Sequence, residues 1–294
     1  MKKIDFLATD GAILNGILYN CPKKTKKVIL AIHGMSSNCF KERDEIISKK
    51  VNENEIDYFC FNNRGSELVK YVKKEREGKT EKVIGGTSYE DVLEGYEDIV
   101  GAIIKLKELG YENVYLQGHS LGCTKIVYTY NKLKDANKQD ILSCIKGIIL
   151  LSLIDIPMAI KIYLGDKYEK YLSYAIEQES KKNVLELMPK AAFIHPISIK
   201  TFLRYARDNQ EIDFAGYGRD YELEKLNNIE VPLFMRWGNN NEMIVQKADE
   251  LVNIVNNIIK NPNKDIDYID GADHGYTGKE EILAEQICNF ITNI

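Results

Sequence analysis

The chain has 294 residues, 44% hydrophobic and 29% charged, with a formal net charge of −4. That is ample apolar material for a large core. A slightly acidic chain with no dense Lys/Arg stripe argues against nucleic acid as a partner. No run approaches the roughly 20 apolar residues of a membrane span, and the N-terminal MKKIDFLATDG lacks the apolar stretch of a secretion signal.

In chain order, Ile4–Ala8 and Ile13–Leu18 flank Asp10-Gly11 and read as a hairpin. Lys23–Lys27 (KKTKK) reads as a solvated turn before Val28–Ile32, a short apolar run expected of a strand buried on both faces. His33-Gly34-Met35 follows, then a helix over Phe40–Asn52, a buried strand at Asp57–Phe61 and the turn Asn62-Asn63-Arg64-Gly65. Residues 66–86 are polar and read as a loop. Thr87 with Glu90 fits a capping box ahead of a helix whose apolar stripe is Val92, Tyr96, Ile99, Ile103 and Leu106. A strand at Val114–Gln117 leads into a helix from Leu121, and Gly147–Ser152 is another buried strand. Residues 155–229 break the alternation with helical, tyrosine-rich segments. Strands return at Pro232–Trp237 and Asp265–Ile269, with helices over Val245–Ile259 and Lys279–Ile294.

Strands alternating with helices imply a mostly parallel sheet covered on both faces. Residues 1–154 and 230–294 are therefore expected to form an α/β core, with 155–229 a helical cap inserted between two core strands. The six cysteines include no C-x-x-C pair, and no zinc, calcium or nucleotide motif is present. No metal or organic cofactor is implied, and the cytoplasm is the expected location.

The chemistry concentrates in Gly118-His119-Ser120-Leu121-Gly122, where a strand runs into a helix. A turn that sharp lifts the central hydroxyl above the sheet and needs small residues two positions to either side, the pattern of a G-x-S-x-G nucleophile elbow. It makes Ser120 a candidate nucleophile and the amide of Leu121, at the helix start, a candidate oxyanion donor. His274, in DYIDGADHGYTGKEE, lies between the last strand and the last helix, where a general base reaches such a serine from a loop. The loop at His33-Gly34-Met35 offers a second oxyanion donor in the Met35 amide.

The order of these parts resembles the α/β-hydrolase superfamily over nearly the whole chain: a mostly parallel eight-stranded sheet with helices on both faces and a helical cap. More narrowly, GGTSYEDVLEGYEDIVGAI, QGHSLGCTKIVYTY, GADHGYTGKEE and FNNRG resemble the UPF0613/DUF1749-like branch. The resemblance implies the Ser120 and His274 roles and the Met35 and Leu121 amides. It also implies an aspartate three residues after a strand-ending glycine, and here the match fails. In Trp237-Gly238-Asn239-Asn240-Asn241-Glu242, that count lands on Asn241, and one extra residue reaches Glu242. A triad acid must stabilise an imidazolium, which requires a negative charge and favours Glu242. Asp155, after Gly147–Ser152, is a third option.

The expected activity is that of a serine hydrolase acting on a small carboxylic ester or thioester. An acyltransferase or peptidase built on the same site, and a non-catalytic ligand binder of the same fold, are the alternatives. Arg64, at the same sheet edge, reads as the structural partner of a carboxylate, with an anion-binding role as the alternative. The tyrosines at 163, 168, 171 and 174 read as packing the cap onto the core, with some lining an acyl or aromatic pocket as the alternative, and His195 reads as a packed cap histidine.

Overall fold

The computed structural model describes residues 1–208, 210–216 and 223–294, so parts of the expected insertion at 209 and 217–222 lie outside the described residues. β1 (Lys2–Leu7) and β2 (Ile13–Tyr19) form the antiparallel hairpin around Asp10-Gly11. β3 (Lys27–Ile32) and β4 (Asp57–Asn62) are the apolar runs that double-sided burial demands, and residues 28–32 and 57–61 are buried. Between them α1 (Glu42–Asn52) packs Ile47 and Val51 inward.

Residues 66–86 are not a plain loop. β5 (Lys70–Arg76) and β6 (Lys79–Gly85) pair as a separate antiparallel ribbon. Glu77 and Gly78 both have positive φ (49° and 75°), the backbone of a tight hairpin turn. The polar sequence hides the ribbon because β6 is exposed apart from Gly85, so it carries no apolar alternation; Val72 on β5 is its buried anchor.

The expected capping box is also absent. α2 (Gly95–Glu108) starts later, behind a short 3₁₀ turn whose N-cap is Asp91, which accepts from Leu93 N. Glu90 instead forms a buried ion pair with Lys125 at 2.6 Å, and Thr87 donates to the Gly65 carbonyl at 2.8 Å.

β7 (Asn113–His119) passes directly into α3 (Leu121–Asp135), and the short α4 (Gln139–Leu142) precedes β8 (Ile145–Leu151). Next come α5 (Ile156–Leu164), α6 (Tyr168–Ser180), α7 (Ile199–Ala206) and α8 (Glu224–Asn227). Apolar residues of α5–α7, among them Ile160, Leu164, Phe202 and Leu203, share one cluster with Leu121 at the start of α3. β9 (Leu233–Gly238), α9 (Ala248–Ile258), β10 (Lys264–Ile269) and α10 (Glu280–Thr292) complete the chain.

Among the described residues, eight strands form one sheet in the order β1-β2-β4-β3-β7-β8-β9-β10. All neighbours from β4 to β10 run parallel, and β2 is antiparallel to both of its neighbours. One apolar cluster lies under α2, α3 and α9, and another under α1 and α10, so both faces are covered. The loops after β3, β7, β8, β9 and β10 therefore share one edge, where open parallel sheets bind ligands. No described helix is long and apolar enough to cross a membrane.

Candidate active site

Ser120 is the single residue between β7 and α3. Its φ of 54° and ψ of −122° are strained for a side-chain-bearing residue, a state costing about 1–3 kcal/mol. The flanking glycines permit that turn for steric reasons. A Cβ on Gly118 would stand 2.6 Å from Cys123 N, and one on Gly122 only 2.2 Å from the Ile32 carbonyl oxygen. Both obstacles are backbone and cannot swing aside. Ser120 N donates to Leu151 O at 2.8 Å, tying the turn to β8.

Two backbone amides near Ser120 are oriented by one device. A planar peptide fixes its N–H opposite its C=O. The Ser120 carbonyl accepts from Cys123 N at 2.9 Å, which sets the Leu121 N–H. The Gly34 carbonyl accepts from His33 Nδ1 at 2.8 Å, which sets the Met35 N–H. Burial, with the Lys125 charge adding to it, lowers the His33 pKa to about 3, so its ring is the neutral donor this bond requires. Ser36 N donates to Thr87 Oγ1 at 2.8 Å and secures the same loop. Neither the Met35 nor the Leu121 N–H has a protein acceptor among the described residues, and both residues line the cavity above Ser120.

His274 follows β10. His119 Nε2 donates to its carbonyl at 2.7 Å, and Asp273 accepts from Gly275 N and Thr277 N at 3.0 and 2.8 Å, so the loop is held on both sides. His274 Nδ1 is hydrogen-bonded to Glu242 Oε1. The other Glu242 oxygen accepts from Ser152 Oγ at 2.6 Å and Gly238 N at 2.9 Å. Burial pushes the Glu242 carboxyl up, but the His274 bond and charge and these donors outweigh it and hold the pKa below the ordinary 4.5. The Ser152 hydroxyl also lies 3.0 Å from that of Tyr276, which donates to the Arg236 carbonyl at 2.7 Å.

The other acid candidates lie elsewhere. Asp155 caps the N-terminus of α5 and accepts from Met158 N at 3.2 Å. Asn241 is exposed with a φ of 52°, and it turns the chain that delivers Glu242. The two asparagines before it stitch the loops together. Asn239 donates to Asp270 Oδ1 and accepts from Gly271 N, both at 2.7 Å, and Asn240 N donates to Ala272 O at 2.9 Å.

Ser120 and His274 line one cavity of about 820 Å³, and no hydrogen bond joins them in this structure. Free enzymes often hold such pairs loosely until substrate binds. The cavity wall is largely apolar and includes Ile154, Ile156, Ile160 and Phe193. Tyr163 and His195 line it as well, so neither is solely packing; His195 also stands edge-on to Phe193 at 4.9 Å. Arg64 is locked to Asp98 and Asp10 at 2.7–3.0 Å, which makes it a structural residue. Sequence reasoning missed Ser152, Tyr276 and Arg43. The first two follow sheet strands at the same edge as His274, and that position was the available signal. Arg43 also lines the cavity.

Comparison with solved structures gives full-length matches. Est1E from Butyrivibrio proteoclasticus, solved with ferulic acid, is 18% identical with a TM-score of 0.66, covering 98% of each chain. The fold is that of the α/β-hydrolases. The α/β hydrolase GrgF from Penicillium sp. sh18 is 14% identical with a TM-score of 0.69, over 99% of this chain and 98% of that one. A soluble variant of monoglyceride lipase from Saccharomyces cerevisiae, in complex with a substrate analogue, is 12% identical with a TM-score of 0.62, over 97% and 93%. No family model and no curated protein matches the chain.

Proposed function

We propose that this α/β-hydrolase-fold protein is a serine hydrolase that cleaves a small carboxylic ester or thioester through an acyl-enzyme on Ser120. The observation that carries the reading is the convergence, at one apolar cavity, of a strained serine, an imidazole and two amides without protein acceptors, with a buried carboxylate on the far side of the ring. Similarity in fold to Est1E, solved with ferulic acid, and to a monoglyceride lipase supports it.

In this mechanism His274 Nε2 takes the Ser120 proton as Oγ attacks the acyl carbon. The carbonyl oxygen becomes an oxyanion held by the Met35 and Leu121 amides, each donor contributing about 3 kcal/mol. Glu242 holds the Nδ1–H tautomer and offsets the imidazolium charge. The imidazolium then protonates the leaving alcohol or thiol. Water, activated by the same ring, attacks the acyl-enzyme and releases the acid. The non-catalytic alternative leaned on the missing aspartate, and Glu242 supplies a carboxylate where that argument required none.

We read residues 155–229 as a helical cap that closes the cavity and shapes the acyl site. The narrower UPF0613/DUF1749-like placement belongs to the same proposal and rests on the four sequence segments alone. Reaction with a fluorophosphonate probe tests the function. A hydrolase carries the adduct on Ser120, and replacing Ser120 or His274 abolishes it. A protein that stays unlabelled while folded is not a serine hydrolase.

A further inference from the structure

Three buried arginines deserve comparison by how they spend their N–H groups. Arg64 makes four bonds to two carboxylates at 2.7–3.0 Å. Arg236 is equally occupied: Nε donates to Gln286, Nη1 to the Met235 and Asp265 carbonyls, and Nη2 to the Asp265 carboxylate, at 2.6–3.0 Å. Both are structural.

Arg43 differs. Its side chain is 9% exposed, yet its acceptor is a single oxygen, Asp44 Oδ1, reached by Nε and Nη2 at 3.4 Å each. That oxygen also accepts from the Tyr58 hydroxyl at 3.1 Å. Asp44 takes the Nε/Nη2 edge of the guanidinium. The Nη1/Nη2 edge, which can hold a carboxylate by two parallel bonds as Arg64 holds Asp10, has no protein acceptor among the described residues. Leaving a buried charge so loosely paired is costly unless something else engages it.

Arg43 lines the cavity that holds Ser120 and His274. Of the charged residues around that cavity, Lys41 and Glu42 are exposed and Glu280 is half-buried, so solvent screens them, whereas Arg43 is buried. Its charge is felt at His119, next to the nucleophile, where after burial it is the largest influence depressing the ring's basicity. Arg43, Ser120 and His274 line one cavity, so an anion held by Arg43 shares the space above the serine.

We propose that Arg43 is a specificity residue that binds a carboxylate on the substrate, so that the preferred substrates are short esters or thioesters carrying a second, free carboxylate. This rests on the hydrolase reading above and names its substrate class. The carboxylate takes the open guanidinium edge, and the ester lies over Ser120 against the apolar wall.

A matched pair tests it: monomethyl glutarate and methyl glutaramate, alike in shape and different in charge. Wild-type kcat/KM, followed by acid release, is expected to favour the monoester by about 10-fold or more, the size of one charge-assisted bidentate contact. In Arg43→Gln, confirmed folded by its thermal transition, the ratio is expected to fall toward one, and Arg43→Lys is expected to keep part of it. Equal or reversed wild-type preference, or an unchanged ratio in folded Arg43→Gln, overturns the proposal and leaves the hydrolase reading standing. Calorimetric titration of Ser120→Ala protein with the same two compounds separates the claims. Tighter binding of the monoester that Arg43→Gln abolishes supports the site even if no ester is turned over, the result that would defeat the hydrolase reading alone.

Discussion

The elbow after β7 and the loop after β9 do the same job by different physics. Each ends a parallel strand at one sheet edge and presents one side chain toward His274 or its cavity. The elbow is fixed by sterics: Gly118 and Gly122 stand where any Cβ meets backbone, so the residue spacing is invariant to context. The acid loop is fixed by hydrogen bonds, through Asn239 and Asn240, with Asn241 at positive φ turning the chain to bring Glu242 to the imidazole. Sterics write themselves into sequence as a motif. A hydrogen-bonded loop can gain a residue and still reach its target.

Five perturbations sharpen that contrast. The largest effect is expected from Glu242→Gln, which keeps the shape and removes the charge: kcat should fall by about 10⁴-fold, the loss that follows when a serine-hydrolase triad is deprived of its carboxylate. Steady-state ester hydrolysis checks this, and Asn241→Ala serves as the control that should lose far less. At the elbow, Gly122→Ala is expected to cost about 3 kcal/mol in urea unfolding, because the new methyl faces the Ile32 carbonyl and neither backbone can yield.

Smaller losses belong to the polar stitches. Asn239→Ala removes two 2.7 Å bonds between the acid and histidine loops, and should cost about 1 kcal/mol while lowering kcat more than KM changes. Asp155→Ala should cost a similar ~1 kcal/mol as a lost N-cap, without an orders-of-magnitude fall in turnover. The smallest effect is a pH dependence. The Glu242 carboxyl has its pKa depressed in the fold, so its ionised form stabilises the protein fully above the unfolded value of 4.5 and loses that contribution as pH falls through the folded value. The stability gap between wild type and Glu242→Gln should therefore be widest near neutrality and close below pH 4.5.

The contrast also explains what the sequence disclosed. Strands β3, β4, β7, β8 and β9 were legible because burial on both faces demands near-continuous apolar runs. The β5–β6 ribbon was not, because its outer strand faces water and carries charge. Thr87 and Glu90 matched a capping pattern, but a buried lysine on α3 and the Gly65 carbonyl compete for the same groups, and tertiary partners won. The carboxylate that meets His274 was ambiguous in register because nothing in a run of three asparagines counts loop residues. Arg43 was invisible inside Lys41–Glu45 (KERDE), which reads as a solvated helix start. Only the fold reveals that this turn of α1 borders the cavity.

The central claim is that the Ser120 oxygen becomes covalently acylated during turnover. Acid-quenched mixing with an activated aryl ester, followed by peptide mass analysis, tests it directly. The account predicts one acyl group on the peptide containing Ser120, appearing before steady state and absent in Ser120→Ala. Ester hydrolysis that proceeds at the same rate in Ser120→Ala, or an acyl group found on a different residue, contradicts it.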